Sequence, residues 1–216
     1  MSVADRKQRE RTQRRESILE AAGRLFADQP YDAVRVEDIS EAAELAKGTV
    51  YLYFPDKDAI VTELGNRLLI DMSAKMSAVT QEVGAERLGP VDALLAMVRI
   101  WHDAYWLSPG LFRILVLDRP QILAQVTRGE HGSSKLLEPI ERVVAFSKQR
   151  GQMEPSLEPD VFSHALWALF VGGLLLSGRG DITETDLRST SLPVLQALVR
   201  GLCMPVATSN DESQGQ

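Results

Sequence analysis

The chain has 216 residues, 44% of them apolar and 25% charged, the composition of a soluble globular protein large enough for one or two domains. Its single cysteine excludes an internal disulfide and most cysteine-based metal sites. The net charge of −6 hides an asymmetry: residues 1–15 carry Arg6, Lys7, Arg9, Arg11, Arg14 and Arg15 against Asp5 and Glu10, so a basic segment precedes an acidic body.

The opening stretch "MSVADRKQRERTQRRES" contains no apolar run and does not read as a secretory signal, which is consistent with a cytoplasmic protein. Residues 1–11 are expected to form a flexible basic arm. Ile18, Ala22, Leu25 and Phe26 then recur one helical turn apart and predict a first helix over 12–28, ended by Gln29-Pro30. Val36, Ile39, Ala42 and Ala43 mark a second helix over 36–43, with Glu37 and Asp38 in the first turn, where the helix dipole favours acids. The tight connection "ELA" leads to a third helix over 47–54. Pro55 stops it, and Asp56 stands where a fourth helix needs its N-cap.

That fourth helix carries one apolar stripe across 56–83, from Ile60 through Leu64, Leu68, Met72, Met76 and Val79 to Val83. Beyond Gly84 and Gly89-Pro90, helical patterns occupy 90–107, 110–117, 120–128, 135–150, 159–177 and 184–202. The residues 205–216 have the composition of a disordered tail. No alternating run of strand length stands out, so the fold class is all-α. The expected layout is a helix-turn-helix domain over 12–55, a connecting helix over 56–83 and a larger helical domain over 84–204. The longest apolar run, "ALWALFVGGLLL" from Ala165 to Leu176, is too short to span a bilayer and reads as a buried helix.

Three short helices, the second and third joined by a tight turn, suggest a DNA-binding helix-turn-helix. In the third, Val50 and Phe54 are four residues apart and form the inward face. Lys47, Thr49, Tyr51 and Tyr53 then point away from that core, offering a cation, a hydroxyl and two phenols to base edges and phosphates. Gly48 permits close backbone approach. For either tyrosine taken alone, packing against neighbouring helices is the slightly preferred role.

As a whole, "DISEAAELAKGTVYLYFPDKDAI" from Asp38 to Ile60 resembles the signature of TetR-family transcriptional regulators, in which a DIA-type helix leads to KGTLY-x-YF and a Lys-Glu-x-Leu helix start. Asp38-Ile39, Ala42-Ala43, Lys47-Gly48-Thr49, Tyr51, Tyr53-Phe54 and Lys57 match, and the resemblance covers residues 12–64. It implies that Lys47, Gly48 and Tyr51 face bases or flanking phosphates, that Thr49 and Tyr53 bind phosphates, and that Lys57 reaches another phosphate. Three positions depart from the pattern. Arg35 stands where a capping Thr or Ser is usual, and would meet phosphate through its own charge. Glu44 replaces the usual turn Gly, which strains the backbone if φ is positive. Ala46 replaces a Ser and loses one cap hydrogen bond. Arg11, Arg14 and Arg15 of the basic arm are candidates for compensating contacts in the minor groove or on the backbone.

The resemblance also implies a second domain that encloses a ligand pocket and dimerises through its last two long helices. The aromatic cluster "WHDAYW" supplies Trp101, Tyr105 and Trp106, joined by Phe112 and Trp167 as apolar walls, with His102, Arg113 and His164 as polar anchors for a small apolar or aromatic ligand. Aromatic clusters at helical spacing are more often core than pocket lining. For the dimer, Phe162, Leu166, Phe170, Gly173 and Leu174 on one helix and Leu195, Leu198, Val199 and Leu202 on the next are the expected isologous surface.

Nothing in the chain supports catalysis. The three histidines are widely separated, without metal-ligand spacing, and Walker, Gly-x-Gly-x-x-Gly and Gly-x-Ser-x-Gly motifs are absent. No cofactor, metal or membrane partner is expected. The resulting expectation is a homodimeric repressor, released from a pseudo-palindromic operator by a small apolar ligand. The alternative is a TetR-like DNA-binding protein without an inducer, regulated by a partner protein.

Overall fold

The computed structural model describes residues 3–127, 136–178, 185, 189 and 192–202. It is all-α, with no strand among the described residues. In chain order the elements are α1 (Val3–Asp28), a 3-10 turn (Tyr31–Ala33), α2 (Val36–Ala42), α3 (Lys47–Tyr53), α4 (Lys57–Gly84) and α5 (Pro90–Leu107). There follow α6 (Pro109–Arg113), running on as a π-helical stretch (Ile114–Asp118), then α7 (Pro120–Thr127), α8 (Glu138–Gln149), α9 (Pro159–Gly178) and α10 (Leu192–Leu202). The tail expected over 205–216 lies outside the described residues, as does most of 184–191.

Two compact units divide the chain, one of Met1–Met72 with Asp103–Leu136, the other of Ser73–His102 with Leu137–Gln216. Beside the expected layout, in which α4 connects two domains, residues of α4 fall in both units, and α6 and α7 fall with the N-terminal helices. Close packing explains it. Leu115 and Val126 lie within 4 Å of where a Cβ on Gly65 of α4 would stand, and Gly110 of α6 lies directly against the α1 backbone at Phe26 and Ala27.

In the first unit, Ile18, Ala22 and Phe26 of α1, Ile39 of α2, Val50 of α3, Phe54, and Ile60 of α4 are all buried. The basic segment is helical rather than a flexible arm, because α1 starts at Val3 and not near residue 12. Its first turns are rich in Arg, Lys, Gln and Glu, all good helix formers, and no Gly or Pro interrupts them. An ion network ties α1 to α4: Arg67 donates to Glu16 at 2.7 Å and to Glu63 at 3.1 Å, and Arg15 donates to Glu63 at 2.8 Å. Asp56 caps α4 as expected, accepting from the Ala59 N–H at 2.7 Å.

The α2–α3 turn closes as a Schellman motif. The Leu45 N–H donates to Ser40 O at 2.9 Å, and the Glu44 N–H donates to Glu41 O at 3.0 Å. This geometry requires a left-handed residue between them, and Glu44 fills it with φ 55°. Glu86 (φ 59°) after α4 and Gly151 (φ 67°) after α8 close their helices in the same way. A side chain in this region costs energy that glycine avoids. Glu44→Gly is therefore expected to stabilise the protein by about 1 kcal/mol, read as a higher midpoint of urea unfolding.

In the second unit, Met97, Val98 and Trp101 of α5 are buried, as are Ile140, Val143 and Val144 of α8 and Phe162, Leu166 and Phe170 of α9. Ser163 of α9 donates to Glu141 of α8 at 3.4 Å. The expectation that the apolar run is too short for a membrane span needs amending, since Pro159–Leu176 is long and apolar enough by length and composition. Only 28% of that stretch is buried, so α9 packs by one side and leaves apolar surface on the other.

Candidate nucleic-acid interface

Helix α3 is short, and its orientation is set by two anchors. Val50 and Phe54 are buried, and the Phe54 N–H donates to Val50 O at 3.0 Å. At about 100° per residue, the residues opposite these anchors must face outward. Lys47, Gly48 and Tyr51 are exposed, while Thr49 and Tyr53 are half-buried on the flank. Ala46 at the N-cap makes no side-chain cap hydrogen bond, and the Thr49 N–H turns to the Ala46 carbonyl at 2.8 Å. Nothing stands within 4 Å of where a Cβ on Gly48 would project. One exposed residue escaped the sequence reasoning. Leu52, 80% exposed against 44% for Tyr51, projects from the outward face one turn after Gly48. A helical wheel drawn from the two anchors would have found it.

The basic groups around α3 are not bare. The Lys47 ammonium donates to the Glu37 carboxylate and lies 5.8 Å from the Tyr51 ring centroid. That hydrogen bond raises the Lys47 pKa and lowers that of Glu37. Arg35 donates from its guanidinium to Asp38 at 3.1 Å, and its backbone N–H donates to the same carboxylate at 2.8 Å. Asp38 thus reaches back to cap the start of α2, a role Arg35 could not fill. Both pairs are solvent-exposed, where water and salt screen them and another anion can compete.

Lys57 is placed differently from the expectation of a phosphate contact. Its ammonium donates to Tyr31 O and Val34 O, each at 2.6 Å, and lies 3.9 Å from the Tyr31 ring centroid. Partial burial pushes its pKa down. The Arg119 guanidinium lies 3.8 Å from the same ring centroid and donates to Asp58 at 3.4 Å. The Tyr31 hydroxyl donates to Asp58, and burial followed by this hydrogen bond pushes the phenol up to about 12, so it stays protonated. Lys57 and Arg119 therefore bind the loop before α2 to the start of α4. Of the three arginines proposed on α1, Arg11 and Arg14 are exposed, whereas Arg15 is held by Glu63 and lies 5.0 Å from the Phe54 ring centroid.

The residues expected to line a ligand pocket fall into two groups, one in each unit. In the second unit Trp101 packs against Trp167 at 5.1 Å and Phe170 at 5.6 Å, and His102 lies 5.6 Å from Phe170. Trp101 is fully buried, and its indole N–H has no hydrogen-bond partner. In the first unit Tyr105 packs against Trp106 at 4.7 Å and Phe112 at 5.7 Å. Arg113 donates to Gln29 O at 2.6 Å. His164 is exposed, with Nδ1 2.7 Å from Asp160 O. A cavity of about 330 Å³ in the second unit is lined by Thr80, Val83, Arg142, Val143, Phe146 and Gln149 among others, and includes none of the expected ligand residues.

The residues expected at a dimer surface divide by their burial in the single chain. Phe162, Leu166, Phe170 and Leu174 of α9, with Leu195 and Val199 of α10, are buried within the unit. Leu198 of α10 is exposed as expected, and it is joined by the exposed apolar residues Val161, Leu169 and Leu176 on α9 and Val194 on α10. On α9 the same outward side carries Ala165, Ala168 and Gly172. Gly173 is half-buried, and the Leu202 side chain lies outside what the structure describes.

Comparison with known proteins agrees with this geometry. Residues 18–64 match the N-terminal model of the bacterial regulatory proteins, tetR family. The chain is 22% identical over 167 residues to the transcriptional repressor DhaR of Mycobacterium sp. (strain GP1), covering 76% of this chain and 82% of the relative. The fatty acid degradation regulator FadR of Bacillus halodurans superposes with a TM-score of 0.70 at 20% identity, covering 88% of this chain and 96% of that one. FadR of Bacillus subtilis, solved in complex with stearoyl-CoA, superposes with a TM-score of 0.66 at 20% identity, covering 86% and 98%. At such identities the two structures establish the fold alone. The matched segment contains α2, α3 and both anchors of the outward-facing helix, so residues 18–64 are a TetR-family DNA-binding region, the reading part of a class of transcriptional regulators and not of enzymes.

Proposed function

We propose that the protein is a homodimeric repressor that binds a pseudo-palindromic operator through α3 and leaves it when a small apolar ligand occupies the second unit. The observation that carries this reading is the outward face of α3, where Lys47, Gly48 and Tyr51 stand exposed on the buried anchors Val50 and Phe54. Thr49, Tyr53 and Arg35 flank that face as phosphate contacts, and the exposed basic turns of α1, with Arg11 and Arg14, add sequence-independent attraction. Two copies would set their α3 helices in successive major grooves about 34–36 Å apart. The exposed apolar sides of α9 and α10 supply a self-complementary surface for that pairing. A protein working on chromosomal DNA belongs in the cytoplasm.

For the ligand, the support is the aromatic group of Trp101, Trp167 and Phe170, with a buried indole N–H that a ligand acceptor would satisfy. A fatty-acyl or aromatic compound suits those walls. Because α4 and α5 each have residues in both units, ligand occupancy could shift the spacing of the reading heads. It would do so only if the ligand binds the released state more tightly than the DNA-bound one.

Selecting bound sites from random duplex DNA, then screening acyl and aromatic compounds for release of the selected site, tests both parts. Tyr51→Ala is expected to weaken binding to the selected site about tenfold or more, while leaving binding to random DNA nearly unchanged. Equal losses on the two DNAs would remove Tyr51 from base reading. Release by no compound in the panel would favour control by a partner protein.

A further inference from the structure

Of the side chains on α3, the one with the largest exposed fraction has no polar atom. Leu52 is 80% exposed, the highest value among the exposed large apolar residues. It lies on the side of α3 away from Val50 and Phe54, one turn after Gly48. Lys47 and Tyr51 run along one flank of this line, and Thr49 and Tyr53 along the other. The centre of the outward face is therefore an isobutyl group next to a position with no side chain, with hydrogen-bonding groups at its edges.

That arrangement has a chemical consequence for what the helix can read. In the major groove a base pair presents acceptors, donors and, on thymine alone of the four ordinary bases, a C5-methyl group. A leucine side chain can satisfy none of the donors or acceptors. Set against the exocyclic amine of cytosine, it would displace water from a group that needs a partner. Set against a thymine methyl, it buries apolar surface on both sides. The gap at Gly48 lets the helix backbone lie close to the base edges, within reach of a side chain as short as leucine.

We infer that Leu52 is a specificity-determining residue that reads a thymine C5-methyl in each operator half-site. This rests on the proposal that α3 enters the major groove, and it deepens that proposal by naming the base feature read at the centre of the helix. The operator then contains at least one thymine per half-site whose methyl is required, flanked by positions read through Tyr51 and Lys47.

The test uses the full-length protein and a duplex selected from random DNA, with each thymine of one half-site replaced in turn by deoxyuridine, which differs only in lacking the methyl. Wild-type protein is expected to lose about fourfold in affinity at one of these positions, the value of one buried methyl-sized group. Leu52→Ala is expected to bind the thymine and uracil duplexes equally at that position. Because Leu52 is so exposed, its truncation leaves the fold intact, which circular dichroism verifies. Wild-type protein indifferent to every uracil, or a penalty that persists in Leu52→Ala, overturns the inference while leaving the DNA-binding reading in place. If no sequence is enriched from random DNA, the DNA-binding reading itself fails and this inference with it.

Discussion

Gly110→Ala is expected to cost about 3 kcal/mol of stability and to weaken operator binding along with it. A Cβ at this position would overlap the Phe26 carbonyl oxygen, far inside van der Waals contact distance, and stand 2.8 Å from the Ala27 Cα. Both obstacles are helix backbone, which cannot swing aside as a side-chain tip can. The start of α6 would have to lift off the end of α1. Three further contacts depend on that seat: Arg113 to Gln29 O at 2.6 Å, the Tyr31 N–H to Asp118 at 3.3 Å, and the Arg119 guanidinium on the Tyr31 ring. Tyr31 in turn accepts Lys57 at its carbonyl, so the loop that sets the start of α2 would lose its brace. Urea unfolding and operator titration of the variant measure the two effects. An unchanged unfolding midpoint would show that α6 can retreat without consequence and that the close approach is not needed.

With the proposed pairing through α9 and α10, Leu169→Arg is expected to give a folded monomer and to lower operator affinity by a factor on the order of 100 or more, because one half-site alone forfeits the gain from linked binding. Leu169 is 52% exposed on the outward side of α9, so an arginine there meets solvent in the monomer and a desolvated, like-charged counterpart in the symmetric pair. Phe170→Arg provides the contrast, since Phe170 is buried among Trp101 and Trp167 and its replacement should unfold the second unit. Light scattering at micromolar concentration, with circular dichroism, separates these outcomes. A Leu169→Arg protein that remains dimeric, or a wild-type protein that is monomeric, would remove the outward side of α9 from the interface.

The structure supports the helical reading of the sequence closely where one face is apolar and breakers stand at the ends. Helices α2 to α5 begin and end within a few residues of the spans read from periodicity and from Pro and Gly. Asp56 caps α4, and Glu44 adopts the positive φ that its place in the turn implied. The start of α1 was misread because a basic run free of apolar residues looks like a solvated arm, although its residues individually favour helix.

By itself, the sequence determined the all-α class, the helix-turn-helix and the direction of α3, because each follows from local rules: an i, i+4 pair of apolar anchors, a capping side chain, a proline. Only the tertiary structure decided which charges are free and which apolar face is buried. Lys57 and Arg113 are both basic and both near helix ends, and nothing local distinguishes a cation awaiting phosphate from one tied to a carbonyl. Their acceptors, Tyr31, Val34 and Gln29, lie 23 to 84 residues away in the chain. The apolar side of α9 presents the same problem: a helix apolar nearly all round has no preferred direction until its neighbours are in place. Packing within the second unit, with Phe170 against Trp101 and His102 of α5, took Phe162, Leu166 and Phe170 inward and left Val161, Leu169 and Leu176 outside. Hydrogen-bond acceptors and packing partners distant in sequence made those choices, and one-dimensional periodicity carries no record of them.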